Sequence, residues 1–210
     1  MGDMGMDDMG MGDMGMGDMG MDDMGMGDMQ VDPPTCLSPT VGQLVINEVM
    51  ANPAGNESSD RSEWVEIINA TDAHLSFDRL TLWEAGIQEI TFASGCIAPH
   101  SALVIYNQKT VVDWTWSSPP TGEVSTGSMG SFSITNSVPL SIELKLGETS
   151  INRFNAEVSL IQSGVSINRN PDASADGEVA LHNTLEGMMS SSSEGVCING
   201  ATFESNCFLP

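Results

Sequence analysis

The chain has 210 residues, of which 29 are acidic and 6 are basic, and its formal net charge at pH 7 is −23. This length allows one domain with extensions. The acidic charge argues against nucleic-acid binding and against docking on an anionic membrane surface, because both depend on Lys and Arg. No run of residues reaches the ~18 apolar positions that a transmembrane helix needs, so we predict no membrane span.

The first 30 residues form a low-complexity repeat. Residues 1–15 recur as residues 16–30 with one difference, Gly15 against Gln30, and the first 29 residues contain twelve Met. With no aromatic or β-branched side chain, the segment cannot bury enough apolar surface to offset the ~1–2 kcal/mol of backbone entropy that ordering each residue costs. We therefore predict a disordered acidic linker over residues 1–30, followed by a Pro-rich hinge over residues 31–42.

The Met residues of the repeat are also candidate ligands for a soft metal ion. Thioethers select Cu(I) and Ag(I) over hard cations, and M-x-M and M-x-x-M spacings let a flexible chain bring two or three sulfur atoms to one ion. The segment is similar to Met-rich segments of periplasmic copper-handling proteins, although it lacks the His that often accompanies them. A solvated linker that binds no metal is the simpler interpretation, and buffering of oxidation is a third. The candidate ligands are Met4, Met6, Met9 and Met11.

The four cysteines include no C-x-x-C pair, which favours two disulfides over a zinc site. Disulfides indicate an oxidising compartment, so we expect an extracellular, cell-surface or periplasmic protein; four reduced thiols in the cytosol are the alternative. Four cysteines allow three pairings, and proximity in the sequence favours Cys36–Cys96 with Cys197–Cys207. No secretory signal is visible at Met1, and we hypothesise that one lies upstream, because the repeat offers many Met codons that could be mistaken for the start.

Residues 43–210 are predicted to form one all-β domain. Short apolar runs separated by turn signals, several with clear alternation, are typical of an antiparallel β-sandwich. In one such run Ile142 and Leu144 would face inward and the charged residues beside them outward. The only helix-tolerant stretch is 180–187. The predicted strands are 43–50, 63–69, 79–84, 89–93 and 102–107, with weaker ones at 131–135, 140–146, 149–154 and 165–167.

Three stretches carry a resemblance to a known family: 46–49 (INEV), 63–69 (EWVEIIN) and 166–172 (SINRNPD). With them the chain resembles the lamin tail domain family, and its acidic repeat and cysteines look more like those of bacterial exported members. The resemblance implies an immunoglobulin-like β-sandwich that binds or displays and that has no general catalytic centre. One departure is visible, because Asp78 and Arg79 stand where the family often has Gly-Trp.

The motif residues Asn47, Glu48, Trp64, Glu66 and Asn69 are predicted to be structural. The Trp side chain would pack between the facing sheets, and the amides and carboxylates would satisfy backbone groups at strand ends and turns. The two Glu side chains could instead form a carboxylate pair for acid–base catalysis, although no substrate pocket can be identified from the sequence.

A calcium loop is suggested by oxygen-bearing residues that precede Gly177. Asp172, Ser174 and Asp176 occupy the first, third and fifth positions of such a loop. The twelfth position is Asn183 instead of the usual Glu, and an acidic loop without a metal is the default interpretation.

The three histidines are the remaining candidates for chemistry. No G-x-S-x-G elbow occurs in the chain, so a Ser-His-Asp hydrolase is not indicated. We expect His74, His100 and His182 to be exposed loop residues.

The sequence therefore predicts a non-enzymatic structural, adhesive or protein-interaction module of an exported or cell-surface protein. Its partner would be an unknown protein or surface polymer, and no cofactor is expected apart from the Cu(I) or Ca²⁺ considered above. Two alternatives remain open: a Cu(I)- or Ag(I)-handling protein that acts through the Met repeat, and an accessory domain of a secreted hydrolase.

Overall fold

The computed structural model describes residues 35–55, 63–92, 95–107, 115–116, 126–127, 133–188 and 190–203. Contacts divide the chain into residues 1–32 and residues 33–210. The predicted linker over residues 1–30, its Met ligands and Cys207 lie outside the described residues, so the predictions made for them stay predictions.

The described chain folds into two antiparallel sheets that pack face to face, as its short alternating strands predict. The larger sheet has the strand order β13-β12-β1-β2-β7-β8, the smaller β11-β10-β4-β5-β9, and β3 pairs with β6. None of the described segments forms a helix with the length and apolar character that a bilayer crossing requires. The strands are β1 (Leu44–Met50), β2 (Trp64–Asn69), β3 (Leu75–Ser76), β4 (Leu80–Glu84), β5 (Ile87–Phe92), β6 (Cys96–Ile97), β7 (Ala102–Tyr106), β8 (Thr115–Trp116), β9 (Thr126–Gly127), β10 (Leu140–Leu146), β11 (Thr149–Ala156), β12 (Ile167–Asn170) and β13 (Glu178–Leu181).

Side chains from both sheets fill the space between them. The alternation along β10 puts Ile142 and Leu144 into this core and leaves Glu143 and Lys145 partly exposed, as the pattern predicts. Burial of each large aliphatic or aromatic side chain contributes about 1.5–3 kcal/mol, so this core is the main source of stability. It includes Leu44, Ile46, Val65, Ile67, Leu103, Ile105 and Ile167 from the larger sheet, and Leu82, Ile90, Phe92, Leu140, Ile142, Leu144, Ile151 and Phe154 from the smaller.

Three of the weaker predicted elements differ from the structure. The strand predicted at 165–167 runs over Ile167–Asn170 as β12. The helix-tolerant stretch 180–187 forms the end of β13 and then a 3-10 turn over His182–Thr184. Residues 133–135 are not in a strand, and residues 131–132 lie outside the described part of the chain. The change at β13 has a physical reason, since pairing with β12 overrides a weak local preference.

A disulfide joins the segment that enters the sandwich to β6. Cys36 is bonded to Cys96, with Cα atoms 6.0 Å apart, which confirms the pairing favoured by proximity. Next to this bond, Leu37 O accepts a hydrogen bond from Ser76 N at 2.8 Å, so the entering segment is held against β3. Cys197 is also disulfide-bonded.

Arg169 of β12 connects both sheets through its guanidinium. Its Nε donates to Ile46 O of β1 at 2.9 Å, its Nη2 to Arg153 O of β11 at 2.5 Å, and its Nη1 to Gly177 O at 2.9 Å. The guanidinium also lies over the ring of Phe154, 5.4 Å from the centroid. A rigid fork of donors, which only Arg offers, thus joins one strand of each sheet and the loop before β13.

The outer face of the larger sheet is covered by residues 182–188 and 190–203, which we call the C-terminal layer. Every residue of β1 and β2 is buried, although an antiparallel sheet commonly leaves one face to solvent. An apolar cluster on the covered face contains Ile68 and Ala102 of the sheet together with Cys197 and Phe203 of the layer. The sandwich therefore has a third layer of irregular chain on one side.

Candidate functional site

Strand β1 carries a bulge at the Asn-Glu pair of its motif. Ile46 faces Ile67 and Glu48 faces Glu66 in the register with β2, so Asn47 has no cross-strand partner. A bulge re-aims side chains, and here both bulge residues reach groups on the outer face. Asn47 Nδ2 donates to Glu66 Oε1 at 3.0 Å. The bulge therefore brings two motif residues of β1 next to the Glu of β2.

Glu48 is fully buried and accepts hydrogen bonds at both carboxylate oxygens. Its Oε1 accepts from Ser166 Oγ at 2.5 Å and from Ser193 N at 2.9 Å. Its Oε2 accepts from Ser193 Oγ at 2.8 Å. His182 Nδ1 lies 3.3 Å from Oε1. One carboxylate of the sheet thus holds Ser193 of the C-terminal layer through both its backbone N–H and its hydroxyl.

Glu66 and Asp172 hold the same layer at two further points. Glu66 Oε2 accepts from Gly195 N at 2.6 Å, and Asp172 Oδ2 accepts from Ile198 N at 2.9 Å. Together with Glu48, these residues form what we call the carboxylate cluster. Each member of the cluster accepts one backbone N–H of the C-terminal layer, so three hydrogen bonds fasten the layer to the sheet.

Two asparagines connect the members of the carboxylate cluster. Asn47 Nδ2 donates to Asp172 Oδ1 at 3.1 Å as well as to Glu66, and Asn168 Nδ2 donates to the same Asp172 oxygen at 2.8 Å. Asn47 Oδ1 accepts from Ala173 N at 2.8 Å. The buried network is therefore built from strands β1, β2 and β12 and from the loop after β12.

Burial and the nearby charge of Glu48 raise the pKa of Glu66 well above its ordinary value, against hydrogen bonds from Asn47 and Gly195 that lower it. Burial also raises the pKa of Asp172, although three hydrogen bonds to its carboxylate act in the opposite direction. Folding therefore favours the protonated form of both groups.

Replacing Glu66 by Gln is expected to flatten the pH dependence of stability between about pH 4.5 and neutral pH. The folded protein holds a proton on Glu66 that the unfolded chain releases above pH ~4.5. The wild type should therefore lose stability as pH rises through this window, up to the raised pKa of Glu66. Urea unfolding of both proteins at several pH values should show a steeper loss of stability across this window in the wild type than in Glu66→Gln.

Glu143→Gln is the matched control for this experiment. Partial burial raises the pKa of Glu143, but hydrogen bonds from Ser150 and Arg153 lower it by more than burial raises it. The net shift of this pKa is therefore downward. The contribution of Glu143 to the free energy of unfolding is thus lost only as pH falls below about 4.5. Replacing Glu143 should therefore leave the pH dependence of stability between about pH 4.5 and neutral pH unchanged. Parallel curves for the wild type and Glu66→Gln would contradict the prediction.

The burial of Glu48 and Glu66 argues against the alternative in which these two residues form a carboxylate pair for acid–base catalysis. Neither side chain has exposed surface, and every one of their carboxylate oxygens accepts a hydrogen bond from a protein donor. A general acid or base must come within about 2.6–3.2 Å of a substrate proton, directly or through one water. What this arrangement does is fasten the C-terminal layer to the sheet.

The family model of the Lamin Tail Domain matches residues 38–169. The chain belongs to the lamin tail domain family. Comparison with curated proteins and with solved structures gave no match. Lamin tail domains are immunoglobulin-like domains, so the two-sheet architecture is of that class, and a non-enzymatic role fits the family. In this lamin tail domain, the loop after β12, strand β13 and the C-terminal layer all follow the matched residues.

No group of three or more His, Cys, Asp or Glu side chains within the described ranges could hold a metal ion. Of the calcium-loop candidates, Asp172 has both oxygens in hydrogen bonds. Ser174 belongs to a turn in which its O accepts from Gly177 N at 3.1 Å. Burial lowers the pKa of Arg169, and the nearby charge of Asp176 acts in the opposite direction. Calcium binding by this loop stays a prediction, and these contacts would compete with it.

His182 departs from the expectation of an exposed loop residue. Its side chain is fully buried beside Glu48, and neither ring nitrogen makes a hydrogen bond to a described residue. The physical reason is that β13 carries the chain onto the sheet immediately before it. His74 and His100 are partly exposed, and His100 Nε2 lies 2.7 Å from Asp72 Oδ1.

Trp64 is buried, but on the outer face of the larger sheet instead of between the sheets. It packs against Met50 and Val104 in a cluster separate from the main core. Alternation along β2 is the reason, because Val65 and Ile67 are the residues that turn inward. The expected contact of Trp64 with the facing sheet is therefore wrong.

Asn69 satisfies the backbone of the turn that follows β2. Its Nδ2 donates to Ala73 O at 2.7 Å and to Ala98 O at 2.9 Å. Its Oδ1 accepts from Thr71 N at 3.0 Å. One side chain thus ties this turn to the segment after β6.

The partners that complete the carboxylate cluster were not predicted from the sequence. Ser166, Ser193 and the N–H groups of Gly195 and Ile198 are all donors to it. The Ser-rich run before Gly195 has no apolar period, so pattern analysis reads it as a loop. The available signal was indirect: buried carboxylates in β1 and β2 require donors from elsewhere in the chain.

Proposed function

We propose that this lamin tail domain is a non-enzymatic interaction module of an exported or cell-surface protein. Its role would be structural or adhesive, with a protein or a surface polymer as partner. The observation that carries the proposal is the enclosed carboxylate cluster. The acidic motif residues that could supply chemistry are instead used beneath the C-terminal layer, so a partner meets a rigid exterior of loops and strand edges.

Export is supported by the disulfide between Cys36 and Cys96, because thiols in the cytosol are kept reduced. The acidic composition of the domain supports the role of an interaction module. Residues 31–210 carry 21 acidic and 6 basic residues, and an excess of one sign keeps a protein soluble and attracts partners of the opposite sign.

The proposal is tested on the natively expressed, full-length protein. Its intact mass without reduction should be lower than the reduced mass by four hydrogen atoms, two for each disulfide. Protease added to intact cells or to the culture medium should degrade it. A fully reduced protein that resists protease in intact cells and is released only by lysis would contradict export.

We also propose, as a second candidate function, that residues 1–30 bind Cu(I) or Ag(I). The support is the spacing of the twelve Met residues, which recurs in both copies of the repeat. Replacing all twelve by Leu is expected to abolish Cu(I) uptake by the full chain, measured by competition with a chromogenic Cu(I) chelator. Met188→Leu is the control, because this partly exposed Met lies outside the repeat. Equal uptake by the repeat variant and the wild type would refute the metal site.

A further inference from the structure

Strand β13 gives the larger sheet an edge that is open to a further strand. Within the part of the chain that the structure describes, β13 pairs only with β12. His182 N donates to Ser166 O of the neighbouring strand at 3.0 Å. Antiparallel pairing alternates residue by residue, so Ala180 turns its backbone groups toward β12 and Val179 turns its own outward. Among the described residues, none is hydrogen-bonded to the outward backbone groups of Val179.

An apolar groove of about 450 Å³ lies beside this edge, between β13 and the neighbouring ends of β10 and β11. A groove of this size is within the range of specific binding pockets. Val138 and Val158, which adjoin lining residues in the sequence, are each 44% exposed. The lining consists of the apolar residues Pro139, Leu140, Ala156, Leu160 and Val179 and the polar residues Ser141, Asn155 and Glu157.

The charge around the groove is negative. Glu157 lines it, and Glu178, the neighbour of Val179 in β13, is exposed on the opposite face of that strand. None of the described residues that line the groove is basic. Complementary charge favours a cationic partner and disfavours an acidic one. The acidic repeat of residues 1–30 is therefore a poor occupant, and so is a second copy of this acidic domain.

We propose that the groove binds an extended segment of a partner protein in which apolar residues alternate with Lys or Arg, and that this segment adds to β13 as a further strand. The outward backbone groups of Val179 supply main-chain hydrogen bonds, and alternate side chains of the segment enter the groove. The Lys or Arg side chains lie on the opposite face of the added strand, the face on which β13 carries Glu178, and Glu157 makes the groove itself negative. This inference rests on the proposed role as an interaction module and names the class of partner.

The probe is an eight-residue peptide of alternating Val and Lys, acetylated and amidated at its ends and fluorescently labelled. A matched peptide has Glu in place of Lys. Binding to the full chain is measured by fluorescence anisotropy, and hydrogen exchange of the Val179 amide is measured with and without peptide. The Val-Lys peptide should bind at least 10-fold more tightly than the Val-Glu peptide and slow exchange of the Val179 amide.

Charge reversal tests where the peptide binds. The double variant Glu157→Lys/Glu178→Lys should weaken binding of the Val-Lys peptide at least 10-fold and strengthen binding of the Val-Glu peptide. Glu148→Lys/Glu186→Lys changes the net charge equally at two exposed positions outside the lining of the groove and should change both affinities less than threefold. All four positions are exposed, so both variants should fold.

Three results would overturn the inference. The first is equal effects of the two double variants on peptide binding, and the second is binding without protection of the Val179 amide. The third is self-association of the protein that disappears in Glu157→Lys/Glu178→Lys, because this would assign the groove to a second copy of the chain. Failure of both peptides to bind would also refute this partner class. That failure would leave the export experiment unaffected, so the two proposals fail independently.

Discussion

Replacing Arg169 by Ala should lower the free energy of unfolding by about 3–5 kcal/mol. The substitution removes three hydrogen bonds to backbone carbonyls, on Ile46, Arg153 and Gly177. A buried acceptor that loses a donor pays a cost of desolvation. A loss of this size is a large part of the 5–15 kcal/mol that stabilises a typical domain. Chemical denaturation monitored by Trp fluorescence measures it.

Two other substitutions separate the possible causes of this loss. Arg169→Lys keeps the charge but cannot reach three acceptors with one ammonium, so we expect an intermediate loss. Arg153→Ala is the matched control, because Arg153 is half exposed and only forms an ion pair with Glu143 at 2.6 Å. An exposed pair contributes less than about 1 kcal/mol. Equal losses of unfolding free energy in Arg169→Ala and Arg153→Ala would contradict the conclusion that Arg169 stabilises the fold by joining the two sheets.

Replacing both Cys36 and Cys96 by Ser should destabilise the protein by about 4 kcal/mol. The bond closes a loop with a sequence separation of 60 residues, and a crosslink of that span removes much of the conformational freedom of the unfolded chain. Both side chains are only partly buried, so Ser replaces them with little loss of packing. The measurement is the free energy of unfolding from guanidinium titration.

The single variants provide the control for this prediction. Cys36→Ser alone removes the same crosslink, so its loss should match that of the double variant. Near-UV circular dichroism should show native packing in each. A double variant within about 1 kcal/mol of the wild type would mean that the crosslink does not restrain the unfolded chain as the loop-entropy argument requires.

The strands of the sandwich could be predicted from the sequence because they are encoded locally. Alternation identifies β10 through Ile142 and Leu144, and the motif stretches identify β1 and β2. The Cys36–Cys96 pairing followed from proximity in the sequence. For the strands, a short window holds the information, since strand period and turn chemistry act over a few residues.

The C-terminal layer could not be predicted in the same way, because its structure depends on distant partners. Ser193 and Gly195 are held by Glu48 and Glu66, which lie more than a hundred residues earlier in the chain. The same dependence hides the burial of His182. The bulge at Asn47 is also invisible in the sequence, because only the register with β2 defines it.

The family match ends at residue 169, but the folded unit does not. A fragment cut there would retain Arg169 and lose its acceptor on Gly177. It would also lose β13, and it would leave Glu48 and Glu66 facing water without the N–H groups that now cap them. The residues that match the family model are therefore fewer than the residues that fold together as one unit. Anyone who transplants this domain into another protein should carry the chain through Cys207, the predicted disulfide partner of Cys197.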